Sequence, residues 1–167
     1  SCLFHGCTKV LEENAIMEPV ADVYYNTPAG YKELINACYT YTRTAVQFSV
    51  WALFEYGTDL WTNGSDGAQS EFNTYLPSLS SRHPTLYSFW EGMYTGIGIC
   101  NTAISRGANG IPGMTESEVK AKLGEALVLR AWFYEKLVMQ FGDIPLVTEE
   151  VTEVVTTATR TPVQQVY

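Results

Sequence analysis

Thr115 to Pro145 is the stretch that most limits what this chain can fold into. Thr115 with Glu118 three residues on forms a capping box, in which hydroxyl and carboxylate each take a backbone N–H that the first helical turn leaves unpaired. Gly142 followed by Pro145 closes the far end. Between these signals Val119, Leu123, Leu127, Leu129, Trp132, Phe133, Leu137, Val138 and Phe141 extend most of the way round a helix. A helix that apolar must be buried between others, so the expected fold is an all-α helical bundle with this segment at its core. Arg130 lies midway along it, and a guanidinium buried there needs a partner. A carboxylate, Glu91 or Asp143, is expected, in an ion pair that fixes helix register.

Two more helices supply the neighbours. Thr27-Pro28 is a helix start, and Tyr31, Leu34, Cys38, Tyr41, Ala45, Phe48 and Ala52 follow in steps of three and four, predicting one long helix with a single apolar stripe. The second runs from Pro84 to about Arg106, with Leu86, Trp90, Met93, Ile97, Cys100 and Ile104 in step and Gly107 as its stop. Gly92 and Gly96, one turn apart, leave room for another helix to approach closely. Between these helices, residues 57–81 lose all periodicity and read as a long loop. Asp143 to Val155 reads as extended, mostly loop. Thr161-Pro162-Val163-Gln164 is a capping signature with Pro162 at the first helical position. Too few residues follow for a helix to hold, so the chain is expected to be part of a longer protein.

Several chemistries find no support. A net charge of −8 with only ten Lys and Arg spread along 167 residues excludes the clustered basic surface that nucleic acid requires. No apolar run approaches the roughly 20 residues that span a bilayer as a helix. Cys2 and Cys7 are wrongly spaced for zinc, and Cys38 and Cys100 lack a ligand neighbour. The latter two fall on apolar helical faces and read as buried inert thiols, with a disulfide between them the open alternative. Gly96-Ile-Gly-Ile-Cys-Asn101 lacks the third glycine and preceding strand of a dinucleotide loop. His5 and His83, the only histidines, carry no motif of a nucleophile's base. Asp59 and Asp66, with Asn63, Ser65 and Glu71, do not make a calcium loop and read as a solvated turn. No paired carboxylates mark a hydrolase, and no cofactor is expected.

What remains is ring surface: the chain has 11 Tyr and 4 Trp. Trp61, Asn63, Asp66, Phe72 and Tyr75 gather in the 57–81 loop, where aromatic faces beside amide and carboxylate groups suit a sugar's C–H faces and hydroxyl rim. These five are the candidate ligand-binding residues. The competing reading is that such aromatics only pin the loop to the helices beneath.

Four segments resemble the SusD/RagB family of outer-membrane lipoproteins from Bacteroidota. Cys7-Thr-Lys-Val-Leu-Glu-Glu looks like a lipidated cysteine with its acidic-apolar continuation, and Tyr24 through Tyr39 looks like the entry into the family's first long helix. Trp90-Glu-Gly-Met-Tyr with Ile97 and Asn101 is similar to its second helix; Leu129-Arg-Ala-Trp-Phe-Tyr-Glu-Lys-Leu-Val-Met-Gln-Phe-Gly-Asp-Ile-Pro-Leu is close to its most recognisable segment. The resemblance implies a scaffold of tetratricopeptide-like helix pairs and long loops at residues 8–167, truncated at the C-terminus. Residues 1–7 would be a signal-peptide remnant and anchor region. It also implies a surface-exposed position on the outer membrane through the lipid anchor alone, attached at Cys7 or, since Phe4-His5-Gly6 fits a lipobox poorly, at Cys2. A TonB-dependent, SusC-like transporter would be the partner and an oligosaccharide the ligand, and the resemblance implies in addition that no bond is broken, so no enzyme activity is expected. The alternatives are a scaffold whose only ligand is another protein, and a binder of peptide or another nutrient.

Overall fold

A computed structural model describes residues 21–46, 48–62, 64, 67, 69–152 and 157–167. Cys2, Cys7, Asn63, Ser65 and Asp66, and with them the proposed anchor region, lie outside the described residues. Seven α-helices occur among the described residues: α1 (Ala21–Tyr24), α2 (Pro28–Thr40), α3 (Phe48–Glu55), α4 (Ser70–Thr74), α5 (Pro84–Ala108), α6 (Glu116–Phe141) and α7 (Val163–Val166). The fold is all-α, as expected.

The capping chemistry sets the boundaries. At α6 both halves of the box are formed: Glu118 N–H donates to the Thr115 hydroxyl (3.3 Å), and the Glu118 carboxylate accepts from Thr115 N–H (2.9 Å). Gly142 ends the helix at φ 66°, a left-handed conformation that costs glycine little. Thr27 caps α2 through Gly30 N–H (3.1 Å). His83 caps α5 with its ring: Nδ1 accepts from Thr85 N–H (3.2 Å), which leaves the proton on Nε2 to donate to Glu71 (2.7 Å).

Helices α5 and α6 run antiparallel, pairing Phe89 with Phe141, Tyr94 with Tyr134 and Asn101 with Arg130. Helix α2 lies antiparallel on α5: the Tyr31 hydroxyl donates to the Ala103 carbonyl (3.3 Å) and packs on Gly107, while Thr44 just beyond α2 packs on Gly92. Close approach at Gly92 and Gly96 was expected of one helix; two elements make it, Thr44 at Gly92 and the Phe133 ring of α6 at Gly96. Gly107 does not stop α5, because its bare Cα makes room for the Tyr31 hydroxyl, and the helix continues to Ala108. Tyr31, Ile35 and Cys38, Phe89, Met93, Ile97 and Cys100, and Phe133 and Leu137 are fully buried where the three helices meet. Each large side chain among them contributes about 1.5–3 kcal/mol by burial.

Four expectations are corrected. The long first helix is interrupted: Tyr41–Val46 is a 3-10 turn between α2 and α3. The Thr42 hydroxyl donates to the Tyr39 carbonyl (2.7 Å), so a side chain competes for an acceptor that continuing helix would use. Helix α6 is not enclosed all round, since Leu127, Val128 and Met139 are exposed. The 163–166 turn does form, with Pro162 as its cap and not its first residue. Tertiary contacts hold it: Val163 and Val166 pack on the core, and Val163 N–H donates to Asp143 Oδ1 (3.0 Å). Finally, Arg130 meets no carboxylate among the described residues; it donates to Asn101 Oδ1 and to the Thr148 carbonyl, both at 2.8 Å.

That arginine belongs to a clamp. After α6 the chain turns back across the α5/α6 pair as an extended strap, residues 143–150, tied at one end by the Ile144–Thr161 bridge. Fully buried Ile144 plugs the core beneath. Tyr94 donates to the Pro145 carbonyl (2.7 Å), and the Tyr134 hydroxyl donates to the Val147 carbonyl (2.7 Å) while accepting from Val147 N–H (2.8 Å). Buried Asn101 donates to both Val147 and Glu149 carbonyls, and Arg106 pairs with Glu150 (3.1 Å). Burial raises the pKa of both tyrosines, keeping their hydroxyls protonated as donors.

Candidate ligand-binding face

Trp61, first on the expected list, stands at the surface, 41% exposed, and its ring meets Trp51 edge-on with centroids 4.7 Å apart at 61°. Trp51 comes from α3 and is itself 38% exposed. The pair therefore joins the loop to a rigid helix, which fixes one ring and orients the other. An edge-to-face pair exposes flat ring area at an angle, the form of surface on which saccharide C–H faces settle.

Beside Trp51 a cleft of about 280 Å³ opens between Ala45 and Val46 of the 3-10 turn, Phe54 and Glu55 of α3, and Trp132 and Lys136 of α6. Its floor is apolar and its rim carries one carboxylate and one ammonium. Lys136 Nζ lies 5.6 Å from the Trp132 ring centroid and 3.3 Å from the Glu135 carboxylate, so the cation is held against the indole face. The cleft offers ring surface with an acceptor and a donor at its edge, which is the donor and acceptor pairing a sugar hydroxyl uses.

Tyr75 is 71% exposed with φ 52°, an uncommon backbone state for a residue with a side chain. Its hydroxyl packs over Gly57, where a Cβ would lie 2.7 Å from that oxygen and 2.9 Å from the Phe72 carbonyl. Gly57 also sits at φ 76°, so both conformation and space require glycine there. Trp61 and Tyr75 are thus anchored separately, one on Trp51 and the other over the end of α3. Phe72 differs from expectation. It is buried, its ring edge-on to His83 with centroids 4.8 Å apart, and it pins α4 to the start of α5 without offering a face to a ligand. Glu71 completes that anchor: its own backbone N–H and then the His83 bond hold its carboxyl below the usual range. The sequence reading missed Trp51, Glu55, Trp132 and Lys136. Trp51 had a signal, since it falls off the apolar stripe of its helix, where a large ring has no core to fill.

Fold and face together define a class: an antiparallel helical scaffold, locked by a strap, that presents an aromatic surface. Residues 13–167 match the SusD-like family described as "Starch-binding associating with outer membrane". The chain belongs to that family. It is 29% identical to the SusD-like protein P2 of Formosa agariphila over 97% of its own length, and spans about a third (32%) of that relative. Two solved structures share the fold: a SusD homolog from Bacteroides thetaiotaomicron (TM-score 0.69, 24% identity, 87% of this chain and 29% of that one) and a SusD superfamily protein from Parabacteroides distasonis (0.68, 23%, 83% and 31%). A third is the surface glycan-binding protein A from Bacteroides fluxus (0.60, 23%, 84% and 30%).

Proposed function

We propose that this chain is the N-terminal helical part of a surface lipoprotein that binds an oligosaccharide and passes it to a TonB-dependent transporter in the outer membrane. The observation that carries the binding half is the Trp51–Trp61 pair, two large rings held at the surface by a helix and a loop beside a cleft rimmed by Glu55 and Lys136. Family membership supports the class of ligand and the outer-membrane setting, as does the name of the glycan-binding structural neighbour. The strap makes the scaffold stiff, which limits the entropy lost when a ligand orders on it. Binding and hand-over need no bond broken, so no catalytic group is assigned.

Full-length protein applied to a glycan array tests this reading; selective retention of one oligosaccharide class is expected, and retention of none would overturn it. A second reading, a scaffold for another protein, is favoured by the uncovered Leu127, Val128 and Met139 on α6. Under that reading, mutation of those three would abolish partner capture while leaving the array blank before and after.

A further inference from the structure

The contact between α2 and α5 holds two cysteines that no binding role explains. The register of this antiparallel pair is fixed on both sides of them. Tyr31 packs on Ala103 and Gly107 toward one end, and Thr44 packs on Gly92 toward the other. Stepping along α2 from Tyr31 by two helical turns reaches Cys38, and stepping back along α5 by the same two turns from Gly107, on which Tyr31 packs, reaches Cys100, so the two face each other. Both side chains are fully buried in the common core as free thiols, Cys38 donating to the Leu34 carbonyl (3.4 Å) and each thiol shifting the ionisation of the other. Glycine at positions 92 and 107 makes room for the Thr44 and Tyr31 side chains that set this register, and a disulfide needs facing positions with Cα atoms about 4.4–6.8 Å apart.

We propose that Cys38 and Cys100 are a disulfide site, closed by a disulfide donor while the core assembles, and that the bond staples α2 to α5. In the finished fold both sulfurs are sealed from solvent, so the exchange belongs to folding, when they are still reachable. The Cys38 thiolate attacks the donor disulfide and releases one donor thiolate. The Cys100 thiolate then attacks Cys38 Sγ and expels the second. Two cysteine thiols are oxidised, the donor is reduced to two thiols, and the two cysteine protons end on the released thiolates. Once made, the bond closes a long loop containing α3 and α4, which carry Trp51 and Tyr75, and restrains that loop in the unfolded chain.

The inference stands on core packing and not on the glycan reading. Full-length protein is refolded in a glutathione and glutathione-disulfide buffer, denatured, alkylated and digested. The expected product is a linked pair of peptides bearing Cys38 and Cys100, neither alkylated. Alkylation of both, or linkage of either to Cys2, Cys7 or glutathione, overturns the proposal. In urea, reductant should lower the unfolding midpoint of the wild type and leave that of Cys38→Ala/Cys100→Ala unmoved; equal behaviour of the two also overturns it. Glycan binding of the same preparations is scored separately, so linkage without binding overturns only the functional reading.

Discussion

Asn101→Ala in the full-length protein removes the centre of the clamp on the strap. Asn101 is 2% exposed, and its amide makes three bonds: to the Val147 carbonyl (2.9 Å), to the Glu149 carbonyl (3.0 Å) and from Arg130 (2.8 Å). A neutral bond nets about 1 kcal/mol, and one to a charged group about 1.5–3. Part of the loss is recovered, because the Val147 carbonyl keeps its Tyr134 donor and Arg130 keeps the Thr148 carbonyl. A net cost of ~3 kcal/mol, borne by the strap, follows. Since about 1.4 kcal/mol is tenfold, protection of the Val147 amide against hydrogen exchange should fall by roughly 100-fold. Asn101→Asp should not restore it: the carboxylate still accepts from Arg130, yet it turns a lone pair toward carbonyls that need a donor. Protection changed by less than about threefold in both variants would refute a clamp of this kind.

Gly96→Ala should destabilise by about 1–3 kcal/mol, because the new Cβ would lie 2.8 Å from the enclosed Phe133 ring; thermal unfolding reads it. Gly98→Ala should do the opposite, gaining roughly 0.5–1 kcal/mol, since nothing among the described residues stands within 4 Å of a Cβ there. Phe133→Ala should cost about 3–5 kcal/mol in urea unfolding, as the ring is fully buried between α5 and α6. The Glu118 carboxyl is held below its ordinary 4.5 by Thr115 N–H and then by the Thr115 hydroxyl. A depressed carboxylate pKa contributes stability above the ordinary value and loses it as pH falls through the folded value. The stability gap between wild type and Glu118→Ala should therefore be open at neutral pH and close in acid below the ordinary value; a gap that persists there contradicts the capping account.

Local chemistry was legible wherever it was self-contained. The capping box of α6, its closing Gly142, the start of α2 at Thr27 and that of α5 at Pro84 each depend on residues at most four apart, and each forms as read. Periodicity failed at Tyr41–Val46, because steps of three and four fit a 3-10 turn nearly as well as an α-helix, and the stripe runs on through the change. The partner of Arg130 was illegible because it is set by the path of the strap, which brings the Thr148 carbonyl within reach. Within the candidate site, Trp61 and Tyr75 stand at the surface as the loop composition implied, whereas Phe72 is spent on holding α4 to His83. Trp132 was hidden by its place in an apolar run, where a core role is the default; only the tertiary fold places it on a cleft that residues of α3 also line.

The most direct test of the account is titration calorimetry of full-length protein, wild type against Trp51→Ala/Trp61→Ala, with the oligosaccharide selected by the array. Loss of two anchoring rings should weaken binding by about tenfold or more at unchanged thermal stability. Affinity equal to that of the wild type would contradict a ligand face built on this tryptophan pair.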